Sequence, residues 1–166
     1  MKFTPLKRFS IAVFCLSFAG CGFHLRGQAT LPFDTLYVSS DNDSAFATEL
    51  KRAVRAGTNA RLIDNPKDAD AIFLLQNEAR ERRILAINTG GTVAEYELRL
   101  HVTFRLYNNK GQNWIAPTEL TLKRNVSYND STVLAKDYEE AQLYKDMQSD
   151  AVQQVLQRMS GAKAPI

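Results

Sequence analysis

Cysteine and histidine are both scarce in this chain, with two of each among 166 residues that carry 21 basic and 18 acidic side chains. The cysteines are Cys15 and Cys21, and the histidines are His24 and His101. A zinc centre needs three or four such ligands brought together, and nothing in the sequence clusters with Cys21 to supply them. His24 follows Cys21 by three residues near a chain terminus, where no neighbour holds it as an orienting base for a thiol nucleophile. There is no nucleophile elbow and no Walker loop. Gly90-Gly91 reads as a turn rather than a phosphate cradle, because no helix follows it. Long apolar runs are missing too. The longest, Phe9 to Ala19, falls well short of the roughly 20 residues a membrane-spanning helix requires.

What is present begins with that short run. Lys2, Lys7 and Arg8 precede it and Ala19-Gly20 closes it, giving the basic, apolar and small-residue parts of an export signal over residues 1–20. Cleavage after Gly20 takes away three of the 21 basic residues and none of the 18 acidic ones, leaving 18 of each. The formal charge of +3 therefore vanishes, and with it the electrostatic motive for binding nucleic acid. Cys15 leaves as well, so Cys21 has no partner for an internal disulfide. Phe18-Ala19-Gly20-Cys21 resembles a bacterial lipobox. By that resemblance Cys21 carries a diacylglycerol and an N-terminal acyl chain, and Gly22 in the following position directs the product to the outer membrane, facing the periplasm. Several acyl chains anchor far more firmly than one, since each buried methylene adds about 0.8 kcal/mol.

The exported chain divides into a tether over residues 21–33, one domain over 34–160 and a tail over 161–166. Thr35-Leu36-Tyr37-Val38 is β-prone, Asp43 and Ser44 offer helix N-caps, and Phe46, Leu50, Ala53 and Val54 make one apolar stripe. Gly57 is the expected left-handed C-cap. Arg61 to Asp64 reads as a brief strand, and a longer one starts at Ala71. From 93 to 107 the alternation is almost unbroken: Tyr96, Leu98, Leu100, Val102, Phe104 and Leu106 on one side, Glu95, Glu97, Arg99, His101, Thr103 and Arg105 on the other. Asn88-Thr89-Gly90-Gly91 and Asn108-Asn109-Lys110-Gly111 read as hairpin turns. Leu120, Leu122, Val126 and Tyr128 belong to a further strand, in which Arg124 interrupts the apolar face and predicts a bulge or strand end nearby. Tyr144, Met147, Ala151, Val152, Val155, Leu156 and Met159 form the stripe of a last helix, closed at Gly161. The order β-α-β-β-β-α predicts an α+β fold: a two-layer sandwich with an approximately four-stranded mixed sheet and both helices on its apolar face.

Two readings of the polar residues follow. Glu95 and Glu97 share a face as paired carboxylates would, but alternation alone produces such pairs and Arg99 stands beside them. Arg80, Arg82, Arg83, Arg99, Arg105, Lys123, Arg124 and Lys136 would receive phosphate groups if they converge. If they do not, they are solvated charges balanced by the acidic residues between them.

Three segments, "CGFHLRG" at 21–27, "AEYEL" at 94–98 and "LAKDYEE" at 134–140, together with "LKRAVR" at 50–55 and the order of elements, resemble the LptE lipopolysaccharide-assembly lipoproteins. The resemblance implies a non-enzymatic protein without cofactor that plugs the lumen of the outer-membrane β-barrel LptD, helps it assemble, and contacts lipopolysaccharide in transit. It implies lipopolysaccharide contact at Lys136, in the "LAKD" segment. A second basic position of the family falls on the uncharged Thr89, which leaves Arg82 or Arg83 to take its place. The alternative is an outer-membrane lipoprotein adaptor of similar fold serving another envelope complex.

Overall fold

The computed structural model describes residues 29–40, 44–128 and 133–165. Cys21, His24 and the signal segment lie outside the described residues. Strand β1 (Thr35–Ser39) leads into helix α1 (Ala45–Gly57), then the two-residue β2 (Arg61–Leu62) and a 3-10 turn (Pro66–Asp68). Three long strands follow, β3 (Ala71–Ile87), β4 (Val93–Tyr107) and β5 (Asn113–Ser127), and helix α2 (Val133–Ser160) ends the fold. The sheet has five strands in the order β2-β1-β3-β4-β5, parallel across β2-β1-β3 and antiparallel from β3 to β5. The α+β sandwich is as expected; the extra strand is the short Arg61–Leu62 segment.

The alternation along β4 builds the core. Leu98, Leu100, Val102, Phe104 and Leu106 are fully buried, while their odd-numbered neighbours stay partly open. Phe46, Leu50 and Val54 of α1 and Met147, Ala151, Val155 and Met159 of α2 join them in one cluster, so both helices cover the same sheet face. At its centre Phe73 stacks on Phe104 at 5.3 Å and on Phe46 of α1 at 6.4 Å between ring centroids.

Local chemistry sets the ends. The Ser44 hydroxyl accepts the Ala47 N–H at 3.0 Å, satisfying one of the free donors at the start of α1. It also donates to Glu78 of β3 at 2.7 Å. The α1 C-terminus corrects the expectation for Gly57, which has no positive φ. Thr58 caps instead in an extended conformation, its N–H and hydroxyl both reaching the Val54 carbonyl at 3.2 and 2.9 Å. The two hairpin turns share one construction. Asn88 Oδ1 accepts from the N–H groups of Gly90 and Thr92, and Asn108 Oδ1 accepts from those of Lys110 and Gln112. Gly91 and Gly111, at φ +80° and +81°, supply the left-handed residue that closes each loop.

The start of the domain also differs from expectation. Ala29 bridges to Thr58, Asn59 bonds both backbone groups of Leu31 at 2.6 and 3.1 Å, and Leu31 and Phe33 are buried in the core. Packing thus begins by Ala29, so the end of the segment read as tether lies on the domain. Nearby, Asp70 Oδ2 accepts from the Thr35 hydroxyl at 2.8 Å and from the N–H groups of Thr35 and Asp34 at 2.9 and 3.2 Å. The Thr35 hydroxyl leads the causes that hold this carboxyl below its ordinary pKa. These bonds fasten the start of β1 to the start of β3.

Of the bulge or strand end expected near Arg124, the structure has the strand end, since β5 stops at Ser127. Arg124 itself sits in regular register opposite Leu98, and its guanidinium crosses to Asp150 of α2 at 2.6 Å. The irregularity in β5 lies at the other end, where Ala116 and Pro117 fall between the pairs Ile115–Leu106 and Thr118–Phe104. Proline lacks the N–H a continuous ladder would use, which accounts for that position.

Candidate ligand-contact site

The basic residues proposed from sequence do not gather in one pocket. Cα partners across a ladder share a face, so Arg80 (opposite Leu100) and Arg82 (opposite Leu98) point to the helix side. Arg83, opposite Glu97, points to the open side, where its Nε lies 3.7 Å from Glu81. The two-residue period of a strand separates these neighbours by construction. Arg105 lies farther down β4, its guanidinium 4.1 Å from the Tyr107 ring.

On the helix side, β3 runs beyond α1, and the first half of α2 covers it. The Arg82 guanidinium sits 4.7 Å over the Tyr96 ring and donates to Glu140 at 3.1 Å. That carboxylate raises the Arg82 pKa further still. Tyr96 meets Tyr128 edge-on at 5.1 Å. Arg80 lies 5.1 Å over Tyr144 and donates to the buried Gln148 at 3.3 Å, and Gln148 in turn donates to Glu49 of α1 at 2.6 Å. The Tyr144 hydroxyl donates to the Glu81 carbonyl at 2.8 Å, and burial pushes its pKa up, so it serves as a donor and not as a base. Arg80, Arg82, Asp137, Glu140, Ala141 and Tyr144 line an open cleft of about 450 Å³ there. Two guanidinium groups and two carboxylates give it no excess of either sign.

Lys136 lies in the first turn of α2. Its Nζ donates to Glu139 at 2.7 Å and to Ser127, near the end of β5, at 3.3 Å. Around it the surface turns apolar in a way the sequence reading missed. Leu134 is 87 % exposed and Tyr138 76 %, and Ile84, Leu85 and Ile87 are exposed on the last stretch of β3. Periodicity marks such residues as core, and only the position where the covering layer stops shows that they are surface. Thr89 stands in the hairpin turn and brings no charge to it.

The open sheet face is polar and internally paired. Arg99 contacts Glu97 and lies 3.9 Å from Glu81. His101 Nδ1 is 2.8 Å from Glu119 and 3.1 Å from the Thr121 hydroxyl, and its Nε2 is 3.5 Å from Glu81. The bond with His101, then that from Thr121, lowers the Glu119 pKa. Glu119 and Thr121 converge on the same ring nitrogen, so this trio is not a relay, which requires the nucleophile and the carboxylate on opposite nitrogens. Among the described residues no group of three or more His, Cys, Asp or Glu side chains could hold a metal ion, and no helix is long and apolar enough to cross a membrane.

The similarities to known proteins are specific. The family model described as LptE, lipopolysaccharide-assembly, matches residues 33–159. A relative in Yersinia enterocolitica named LPS-assembly lipoprotein LptE is 30 % identical over 146 residues, covering 85 % of this chain and 69 % of its own length. One of the same name in Pectobacterium atrosepticum is 28 % identical, covering 85 % and 77 %. Among solved structures, lipoprotein B from Nitrosomonas europaea superimposes with a TM-score of 0.71 at 37 % identity, covering 81 % of this chain and 88 % of that one. The rare lipoprotein B of Shewanella oneidensis gives 0.68 at 28 % identity, covering 77 % and 95 %. The match spans the sheet and both helices, and the chain belongs to the LptE family of lipopolysaccharide-assembly lipoproteins.

Proposed function

We propose that this protein is anchored through acylated Cys21 in the outer membrane, occupies the lumen of an LptD-like β-barrel, helps that barrel assemble, and contacts lipopolysaccharide in transit. The observation that carries the barrel reading is the open sheet face. Glu81, Glu95, Glu97 and Glu119 share this face with Arg83, Arg99, Arg105 and Lys123, so it is polar yet carries little net charge. Such a face suits a water-lined lumen, where an apolar face would be costly to wet and a single-signed one would trap ions. Affinity purification of the full chain from outer membranes is expected to retain a large β-barrel. Recovery with a different envelope complex would favour the adaptor alternative.

The start of α2 supports the ligand contact. Lys136 supplies an ammonium, Arg82 and Arg83 lie on the two faces of nearby β3, and Leu134, Tyr138 and Ile84 expose apolar surface. A phosphorylated, acylated ligand needs both kinds of contact. Lys136→Asp is expected to weaken lipopolysaccharide binding by the purified protein about tenfold, the loss of roughly one charge-assisted bond. Far-UV circular dichroism should be unchanged, because the Lys136–Glu139 pair is a surface contact of small energetic weight. Equal binding by the variant would reduce Lys136 to a helix-start charge tied to Glu139.

A further inference from the structure

The long free edge of the sheet is self-complementary. On the far side the sheet ends in β2, only two residues long, whereas β5 is 15 residues long and pairs with β4 alone among the described strands. A long edge of unmet backbone donors and acceptors is a template for another strand. Its usable part runs from Thr118 to Ser127, because Ala116 and Pro117 break the ladder above it.

The outward-facing groups follow from the ladder. The Tyr128 N–H donates to the Ala94 carbonyl at 2.9 Å, in line with the register that pairs Val126 with Tyr96. Bonded pairs alternate in an antiparallel ladder, so even-numbered residues of β5 bond to β4, and Glu119, Thr121, Lys123 and Asn125 turn their backbone groups to the free edge. The side chains of those odd residues lie on the open face, and Leu120 and Leu122 are buried on the core face.

We propose that this edge pairs with the same edge of a second copy of the chain, antiparallel about Thr121, and that Arg124 restrains the pairing. About that centre Glu119 of each copy stands opposite Lys123 of the other, twice, and Leu120 stands opposite Leu122 so that the two cores abut. Unlike charges directly opposite one another stabilise a strand pair and like charges oppose it. Centring on Lys123 would face two ammonium groups, and centring on Leu122 would set Leu120 against Arg124. Of these three registers, the one about Thr121 satisfies both faces.

Arg124 is the restraint. Asp150 holds its Nη2 at 2.6 Å, and its Nη1 donates to the Lys123 carbonyl at 2.9 Å. That carbonyl is the outward acceptor that the Glu119 N–H of the second copy needs. A carbonyl oxygen accepts two bonds, so this acceptor is shared rather than lost, but the guanidinium lying against it in both copies must shift to admit the incoming strand, and association is weak and reversible. This surface is argued independently of the barrel and of lipopolysaccharide.

Sedimentation equilibrium of the full chain in density-matched detergent, with micelles in large excess, tests the proposal. Arg124→Ala should tighten the dimer dissociation constant at least about tenfold. In that background Lys123→Glu should return the protein to monomer, and Glu119→Lys added to it should restore the dimer with the charges exchanged. Restoration also shows that the variants fold. An Arg124→Ala protein that stays monomeric at every concentration overturns the proposal, as does a dimer whose strength is indifferent to Lys123→Glu.

Discussion

Truncating Phe73 to alanine is expected to destabilise the domain by about 3–5 kcal/mol, a large share of the 5–15 kcal/mol typical of natural domains. The ring is fully buried between Phe104 of β4 and Phe46 of α1, so its loss opens a cavity where the sheet and the first helix meet. The strands around it are long, with β3 and β4 joined along 14 paired positions, and they cannot collapse inward without breaking that ladder. Urea unfolding should show a much lower midpoint at an unchanged slope. The same truncation at Leu134, 87 % exposed, should stay within about 0.5 kcal/mol. A loss below about 1 kcal/mol at Phe73 would mean that the aromatic stack is not the centre of the core.

Replacing Cys21 by alanine should have the largest effect on location. The proposed anchor is the direct attachment of this chain to the lipid, and among the described residues no helix is long and apolar enough to cross a membrane. With several acyl chains gone, each worth about 0.8 kcal/mol per buried methylene, the variant produced in excess over its proposed barrel partner is expected in the soluble fraction after osmotic lysis. Its domain should remain folded, because the packed chain begins by Ala29, eight positions after Cys21. A variant that still sediments with membranes and is processed as before would overturn the lipid-anchor reading.

These two predictions stand on opposite kinds of information. The Cys21 expectation comes from the sequence alone, because a processing signal is linear: a basic cluster, a short apolar run and a small pair before the cysteine. The central strands were legible for a related reason: Tyr96 to Leu106 alternate with the period the backbone imposes, and Asn88 and Asn108 begin turns whose bonds all lie within five residues. The α2 stripe from Tyr144 to Met159 was equally local, and all seven of its residues are buried.

All but one of the readings that changed depended on a distant neighbour, the exception being the cap of α1. Gly57 was available as a left-handed cap, but the Thr58 hydroxyl reaches Val54 first. Leu31 and Phe33 looked like tether until Asn59 bound the backbone beside them. Arg124 stands near the end of β5 as expected, but nothing in its own strand shows that Asp150 waits on α2. Arg82 and Arg83 looked like one basic site, whereas the pleat sends one to Tyr96 and Glu140 and the other to Glu81.

The sequence by itself determined the alternating strands, the helical stripes and the turns, because each is written in contacts within a few residues. Tertiary structure alone decided which charges are neutralised, which apolar residues remain uncovered and which strand edge is left open. Those properties depend on what another element places opposite a side chain, and the separations involved, 26 residues for Arg124 and Asp150 and 58 for Arg82 and Glu140, leave no local trace.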